Sequence, residues 1–416
     1  MNKASIKDIK YEDLKNKKIL VRVDFNVPIK DGKITNDKRI KASLPTIEFL
    51  LKNDCKVILM SHLGRPKGEI IEEARLNPVG KRLEELLNQK VLKLDDCIGE
   101  EVQNAINTTD KKVILLENLR FHKGETKNDP EFALELSKLA DIYVNDAFGT
   151  AHRAHASTEG ITKYLPAYAG FLLEKEITIM GSVLSNPVHP FVAIIGGAKV
   201  STKLGVLQHL LKKVDTIIIG GGMVFTFLKS KGIPVGKSLI EEDLIKTAEE
   251  LIIQATKNEV NLVFPIDNVT AKSIEDKEPA GIAMLGKIEA NLANTDKDIL
   301  PGIPEDLMGV DIGPGTIENF KETLKNARTV IWNGPMGVFE NPVFGKGTEE
   351  IAKMLSSLTE KGVVTIVGGG DSVAAVEKLN LSDKFTHVST GGGATLEFLE
   401  GIELPGIKAL KEKTSQ

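Results

Sequence analysis

Two sets of side chains in this sequence could handle negative charge. The chain holds 54 lysines and arginines, of which only eight are arginine, and seven of these precede residue 170: Arg22, Arg39, Arg65, Arg75, Arg82, Arg120 and Arg153. Planar guanidinium donors gathered in one half of a lysine-rich chain suit the oxygens of a carboxylate or phosphate. The second set lies further on. Residues 192–203 read Val-Ala-Ile-Ile-Gly-Gly-Ala-Lys-Val-Ser-Thr-Lys. This order predicts a buried strand, a glycine turn and a helix start, with Lys199 and Lys203 on one helix face near free N–H groups. Gly370-Asp371-Ser372 follows another apolar run. There a carboxylate could hold Mg²⁺ on a nucleotide phosphate, and the same residues also suit a helix N-cap. Glu340 could accept from ribose hydroxyls or be a solvated loop acid.

The elements that must position these groups read as alternating β and α. In the first half, apolar runs at 18–27, 56–62, 91–94, 112–121 and 141–148 alternate with helical patterns at 41–52 and 76–87. That alternation predicts a parallel sheet with ligands outside the carboxyl ends of its strands. Unusual residues sit at those ends: Asp24 and Asn26; His62, Gly64 and Arg65; Glu117, Asn118 and Arg120; Asn145, Asp146, His152, Arg153 and His155. In the second half four apolar runs end in glycine clusters, at Gly196-Gly197, Gly220-Gly221-Gly222, Gly368-Gly369-Gly370 and Gly391-Gly392-Gly393. A second parallel sheet with a nucleotide along its carboxyl edge fits, since glycine allows close backbone approach. Residues 171–184 have helical apolar spacing and stand where the charge balance changes. They suit a connector between domains or a peripheral helix of the first domain.

Composition narrows the function classes. At 416 residues two domains are expected. Residues 1–170 hold 29 basic against 26 acidic residues, and the remainder 25 against 32. This is too weak a basic excess for a nucleic-acid stripe. Cys55 and Cys97 are the only cysteines, which points to a reduced compartment. The charged start implies no leader, and no apolar run approaches a membrane span. The histidines argue against metal: His152 and His155 lack a third ligand at zinc spacing and have Arg153 beside them. His122 and His209 read as surface residues and His189 as a loop residue. The run Gly232-Ile233-Pro234-Val235-Gly236-Lys237-Ser238 is one residue too short between its glycines for a phosphate loop, and no G-x-G-x-x-G follows a strand. That absence weighs against a nicotinamide-dependent dehydrogenase. A two-domain anion-binding protein of the periplasmic type would carry a leader.

Over nearly its whole length the sequence resembles the phosphoglycerate kinase family. The matching motifs are Arg22-Val23-Asp24-Phe25-Asn26-Val27-Pro28, Ser61-His62-Leu63-Gly64-Arg65-Pro66, Glu117-Asn118-Leu119-Arg120-Phe121, Asn145 through Arg153, Gly196-Gly197-Ala198-Lys199-Val200, Trp332-Asn333-Gly334-Pro335 and Gly368-Gly369-Gly370-Asp371-Ser372. The resemblance implies two doubly wound, Rossmann-like α/β domains facing across a cleft and joined by a helix. Residues 1–170, with the tail 404–416, would bind 3-phosphoglycerate; 171–185 would connect; 186–403 would bind nucleotide. It also implies reversible phosphoryl transfer between ATP and the carboxylate of 3-phosphoglycerate, with Mg²⁺, in a cytoplasmic monomer that closes by hinge bending. By motif match Asp24, Phe25, Asn26, Arg39, His62, Leu63, Gly64, Arg65, Arg120 and Arg153 would form the acid site. Lys203, Gly309, Glu340, Gly369, Gly370, Asp371 and Ser372 would contact nucleotide, Asp371 would hold the metal, and Arg39 and Lys199 would be catalytic. Thr202 and Ser372 stand where many members have Asp and Thr. The stretch 273–306 matches weakly, and no site residue is assigned there.

Overall fold

The computed structural model describes residues 2–285 and 301–413. Part of the weakly matching stretch, 286–300, and the last three residues of the expected tail lie outside them. The chain divides into two compact units, one running to Gly181 and taking in the segment from Glu403, the other spanning Ser182–Ile402.

The first unit is built on six strands: β1 (Lys18–Arg22), β2 (Lys56–Met60), β3 (Val91–Lys93), β4 (Val113–Leu115), β5 (Ile142–Asn145) and β6 (Ala167–Ala169). All pair in parallel, in the order β3-β4-β2-β1-β5-β6. The chain winds outward from β1, then returns to its other side to lay down β5. The order therefore reverses between β1 and β5, where Arg22 pairs with Asn145. Crossovers use helices α1 (Lys38–Lys52), α2 (Asn77–Leu87), α3 (Glu100–Thr108) and α4 (Pro130–Ser137). Helix α1 buries Ile40, Ser43, Ile47 and Leu50, the three-and-four spacing of one helix face. Helix α5 (Phe171–Ser185) follows β6, and the boundary between the units falls inside it.

The second unit repeats the plan. Strands β7 (Phe191–Ile195), β8 (Thr216–Ile219), β9 (Asn261–Val263), β13 (Thr329–Asn333), β14 (Val364–Gly368) and β15 (His387–Val388) form a parallel sheet in the order β9-β8-β7-β13-β14-β15. Here the reversal lies between β7 and β13. Strands β10 (Asp267–Ala271), β11 (Gly281–Met284) and β12 (Met308–Ile312) form a separate antiparallel sheet. The relevant helices are α6 (Leu204–Leu210), α7 (Val224–Ser230), α8 (Ile245–Lys257), α9 (Pro314–Leu324), α10 (Lys346–Glu360), α11 (Gly370–Lys378) and α12 (Gly392–Leu399). The central strands are buried along their whole length, as parallel strands covered on both faces must be.

The strands are shorter than the apolar runs suggested. The run at 112–121 ends as strand at Leu115, and residues 119–121 form a 3-10 turn. Likewise 18–27 ends at Arg22. Buried residues of both kinds, Val23, Phe25 and Leu116 with Asp24, Glu117 and Asn118, continue each run past its strand.

Candidate active site

In the first unit the groups at the carboxyl edge of the sheet are tied together by a few hydrogen bonds. After β1 the chain turns, and Asp24 accepts from Arg39 Nη1 at 2.8 Å. Arg39, in the first turn of α1, also reaches the Asn26 carbonyl at 3.3 Å. The Asn26 side chain in turn accepts from the Gly64 N–H at 2.9 Å, fixing the loop after β2. The Gly64 carbonyl accepts from Arg120 Nη1 at 2.7 Å. Asn118 holds Arg120 from behind, accepting from its backbone N–H and donating to the Leu63 and Ala74 carbonyls. Arg65 and Arg153 are exposed. Arg65 makes no hydrogen bond or ion pair among the described residues, while Arg153 Nε donates to His152 Nε2 at 3.1 Å.

This edge is strongly positive, and the groups perturb each other. Burial, then Arg22 and Arg153, bring Arg120 down to about 10. Burial and the nearby Arg22, Arg120 and Arg39 hold His62 well below the ordinary imidazole range. Burial and Arg153 take His152 down to about 4. Both rings are therefore neutral at pH 7, and the arginines supply the charge. Two arginines do other work: Arg75 pairs with Glu72 and Glu117, and Arg82 with Asp37 and Glu85. Glu117, buried, also accepts from the N–H groups of Leu76 and Asn118, a structural role. Phe25 and Leu63 pack into the hydrophobic core, leaving only their backbones to face a ligand.

In the second unit the reversal between β7 and β13 is spanned by a side-chain bond. Lys203 Nζ donates to Asn333 Oδ1 at 2.5 Å. Lys203 is buried, and burial lowers its pKa against the pull of Asp371 and Glu400. The expectation of two lysines on one helix face is overturned. Helix α6 begins only at Leu204 with Lys203 as its N-cap, and Lys199 lies in the preceding irregular turn, exposed. The glycines explain the late start. Gly197 has φ +107°. A Cβ on Gly196 would lie 2.2 Å from the Pro335 carbonyl oxygen, and one on Gly221 2.5 Å from the Gly197 nitrogen. These glycines let adjacent strand-end turns interlock backbone to backbone, which accounts for them without a ligand. Gly370 differs, since nothing lies within 4 Å of where its Cβ would be.

Around that open position, Asp371 is exposed in the first turn of α11 and makes no hydrogen bond or ion pair among the described residues. Ser372 is buried, and its hydroxyl accepts from the Gly334 N–H at 2.6 Å. Gly309, on β12, donates to Ser238 Oγ at 3.0 Å and abuts the Phe225 ring. Glu340 is exposed in a turn. At this edge Asn333 Nδ2 is a buried donor without a partner among the described residues. The run at 232–238 is structural: Lys237 N–H bonds the Leu307 carbonyl, and Gly236 packs on the carbonyls of Pro304 and Leu307.

Residues 6–402 match the family described as phosphoglycerate kinase. The chain belongs to the phosphoglycerate kinase family. It is 54% identical over 414 residues to phosphoglycerate kinase of Dictyoglomus turgidum, covering 99% of this chain and 100% of that one. It is 53% identical over 415 residues to the enzyme of Thermosynechococcus vestitus, with the same coverage. The structure of phosphoglycerate kinase from Coxiella burnetii superposes with a TM-score of 0.84 at 39% identity, covering 98% of each chain. That from Pyrococcus horikoshii gives 0.80 at 33%, again over 98% of each. The protein is thus a phosphotransferase of glycolysis, moving a phosphoryl group between ATP and the carboxylate of 3-phosphoglycerate. No helix among the described residues is long and apolar enough to cross a membrane.

Sequence reasoning about phosphoglycerate kinase chemistry passed over three groups. Arg22 was visible as one arginine of seven and as the first residue of a matched motif, with no role assigned, yet it is fully buried and bonded to His62. Glu125 gave no sequence signal, yet it is fully buried beneath the same edge, in a four-residue helix at Lys123–Thr126. Asp96, Cys97 and His122 converge within 4.8 Å, a group that no sequence spacing announced. Asp96 and His122 already pair at 2.6 Å. Burial and the carboxylates of Asp96, Glu125 and Glu117 keep the Cys97 thiol protonated. These three satisfy one another as a structural cluster.

Proposed function

We propose that the edge holding Arg39, Arg65, Arg120, Arg153, His62, Asp24 and Asn26 binds 3-phosphoglycerate, and that Lys199, Lys203, Glu340, Gly309 and 369–372 serve ATP or ADP. One observation carries this reading: four arginines gather at one strand edge with Asp24 as their only carboxylate partner among the described residues. Such an excess of positive charge favours a small, multiply charged anion. Asp371 suits Mg²⁺: it is a single free, exposed carboxylate, and Mg²⁺ is usually held by one or two carboxylates together with substrate phosphates. When bound, the ion neutralises charge on the phosphate oxygens.

The acceptor is a carboxylate with an ordinary pKa of roughly 3.5, already ionised at neutral pH, so the site needs no general base. Its task is electrostatic, because negative charge spreads over the transferring oxygens. Arg39 and Lys199 stabilise that charge. Lys203 holds nucleotide phosphate, and Arg65, Arg120 and Arg153 orient the acid. Helix 171–185 connects the acid-binding region 1–170, with its tail, to the nucleotide-binding region 186–403. The protein acts as a cytoplasmic monomer. A coupled assay for acyl phosphate formation from ATP and 3-phosphoglycerate tests the reading, with Mg²⁺ omitted as control. Activity that ignores Mg²⁺ sinks the role given to Asp371, and no activity at high enzyme concentration sinks the whole assignment.

A further inference from the structure

Beneath the cationic edge of the first unit runs a buried chain of hydrogen bonds with one possible direction. Glu125 Oε1 accepts from the Ser157 hydroxyl at 2.6 Å, and Oε2 from the Ser157 N–H at 3.0 Å. With its proton committed to Glu125, the Ser157 hydroxyl can only accept, and it takes Arg22 Nε–H at 2.9 Å. Arg22 Nη1 donates to the Val23 carbonyl. Its remaining arm, Nη2, lies 3.1 Å from His62 Nδ1. Glu125, Ser157 and Arg22 are all fully buried, so the carboxylate and guanidinium balance each other away from water. Tyr143 closes the chain from the side, donating to the Ser157 carbonyl at 2.8 Å.

A guanidinium nitrogen donates and never accepts. His62 Nδ1 must therefore be the acceptor, and the ring's proton sits on Nε2. Protonating Nδ1 would set an N–H donor against an N–H donor. We infer that Arg22 is a positioning residue that locks His62 as its neutral Nε2–H tautomer, so that His62 meets the acid substrate as a directed hydrogen-bond donor and not as a cation. Nε2 has no protein partner among the described residues and is free for a ligand oxygen. The groups facing His62 agree: Arg22, Arg120, Arg39 and His155 all disfavour a charge on the ring. The role of Glu125 and Ser157 is then to aim Arg22.

This inference rests on the reading of that edge as the acid site, and its test separates the two. The ¹⁵N resonances of the His62 ring are recorded on the substrate-free protein between pH 6 and 8. The expected result is an unprotonated Nδ1, a protonated Nε2 and no titration. A protonated Nδ1, or a ring that titrates to the cation in this range, overturns the inference. In Arg22→Met the ring should exchange between tautomers. Its KM for 3-phosphoglycerate should rise about tenfold, with kcat and the KM for ATP little changed. Arg22→Lys, which keeps a donor, should restore much of the tautomer bias. If Arg22→Met does not fold, Ser157→Ala loosens Arg22 from behind and should show a weaker form of both effects. A folded Arg22→Met protein that keeps a single Nε2–H ring also overturns it. A fixed Nε2–H ring in a protein that does not turn over the acid keeps the Arg22–His62 pairing and removes the functional reading.

Discussion

Individual residues carry charge states that their names alone do not give. Lys203 is the clearest case. It is buried, bonded to Asn333 across the reversal in strand order, and its ammonium is stabilised by Asp371 and Glu400 against desolvation. A charge held so rigidly at low exposure interacts strongly with a phosphate. Lys203→Met keeps the apolar stem but removes the charge and the bond. It is expected to raise the KM for ATP by roughly 10- to 100-fold, as the loss of a charged hydrogen bond does, and to leave the KM for 3-phosphoglycerate unchanged. Steady-state kinetics with each substrate varied in turn decides it, and equal rises in both constants would refute the assignment of Lys203. The same scale shows what the sequence could not reveal. The positions of His62 and Arg65 just past a strand end were legible, because strand ends of a parallel sheet follow from pattern, whereas Arg39, in the first turn of α1, came only from the family resemblance. The neutrality of His62 was not, because it arises from burial and from arginines distant in sequence, and that of His152 needed its burial beside Arg153 to be seen.

At the scale of elements, one buried carboxylate joins the site edge to a helix. Asp146, in the turn after β5, accepts from the N–H of Leu172 at 2.9 Å and of Leu173 at 3.4 Å, so it caps the first turn of α5. Its other oxygen has no hydrogen-bond partner among the described residues, and Thr46, beside the carboxyl, joins the two N–H groups in favouring the charged form. Burial outweighs these bonds and pushes its pKa up to about 7. In the unfolded chain it titrates near 3.8. Between those values the folded protein holds a proton that the unfolded chain has released, so this group's contribution to stability falls as pH rises from about 4 to about 7. His62 and His152, with lowered pKa values, act in the opposite direction below pH 6.5, so only the difference between proteins isolates Asp146. Asp146→Asn keeps a carbonyl oxygen for the two N–H groups and has no proton to lose. Relative to the parent, the variant should gain denaturation midpoint at pH 8 compared with pH 5. An identical difference at both pH values sinks the argument. The cap itself was hard to read from sequence, since Asp146 lies 26 and 27 residues before Leu172 and Leu173 and belongs to a motif that reads as a site. The glycine clusters carry a second reason for glycine that the sequence did not show: close backbone approach requires Gly196 and Gly221, and a positive φ requires Gly197.

For the molecule as a whole, the parallel sheets and their order of use follow from alternating patterns, but the small antiparallel sheet of β10, β11 and β12 does not. Strand β11 is largely exposed while β10 and β12 are mostly buried, and β12 pairs with β10 across 267–312, a separation no local signal spans. The two ends of the first unit show long-range dependence of another kind. The Ala4 N–H bonds the Lys411 carbonyl, the Lys411 N–H bonds the Ala167 carbonyl, and Ser5 pairs with Ala169, so both chain termini cover the β6 edge. Leu404 and Ile407 are fully buried there. Between them Gly406 accepts from Asn145 Nδ2 at 3.0 Å and donates to the Ala151 carbonyl at 2.8 Å. Asn145 and Ala151 bracket the turn that delivers Arg153. The tail therefore buttresses one arginine of the site and closes one edge of its sheet. Truncating a buried Leu or Ile to Ala costs about 2–5 kcal/mol, and a whole domain is stable by only about 5–15 kcal/mol. The Leu404→Ala, Ile407→Ala pair should lower the unfolding temperature of the first unit well below that of the second, giving two resolved transitions in calorimetry. Below the first transition the KM for 3-phosphoglycerate should rise as the Arg153 turn loosens, with the KM for ATP held. A single transition with both constants moving together would show that the tail stabilises the chain without specifically supporting the acid-binding edge.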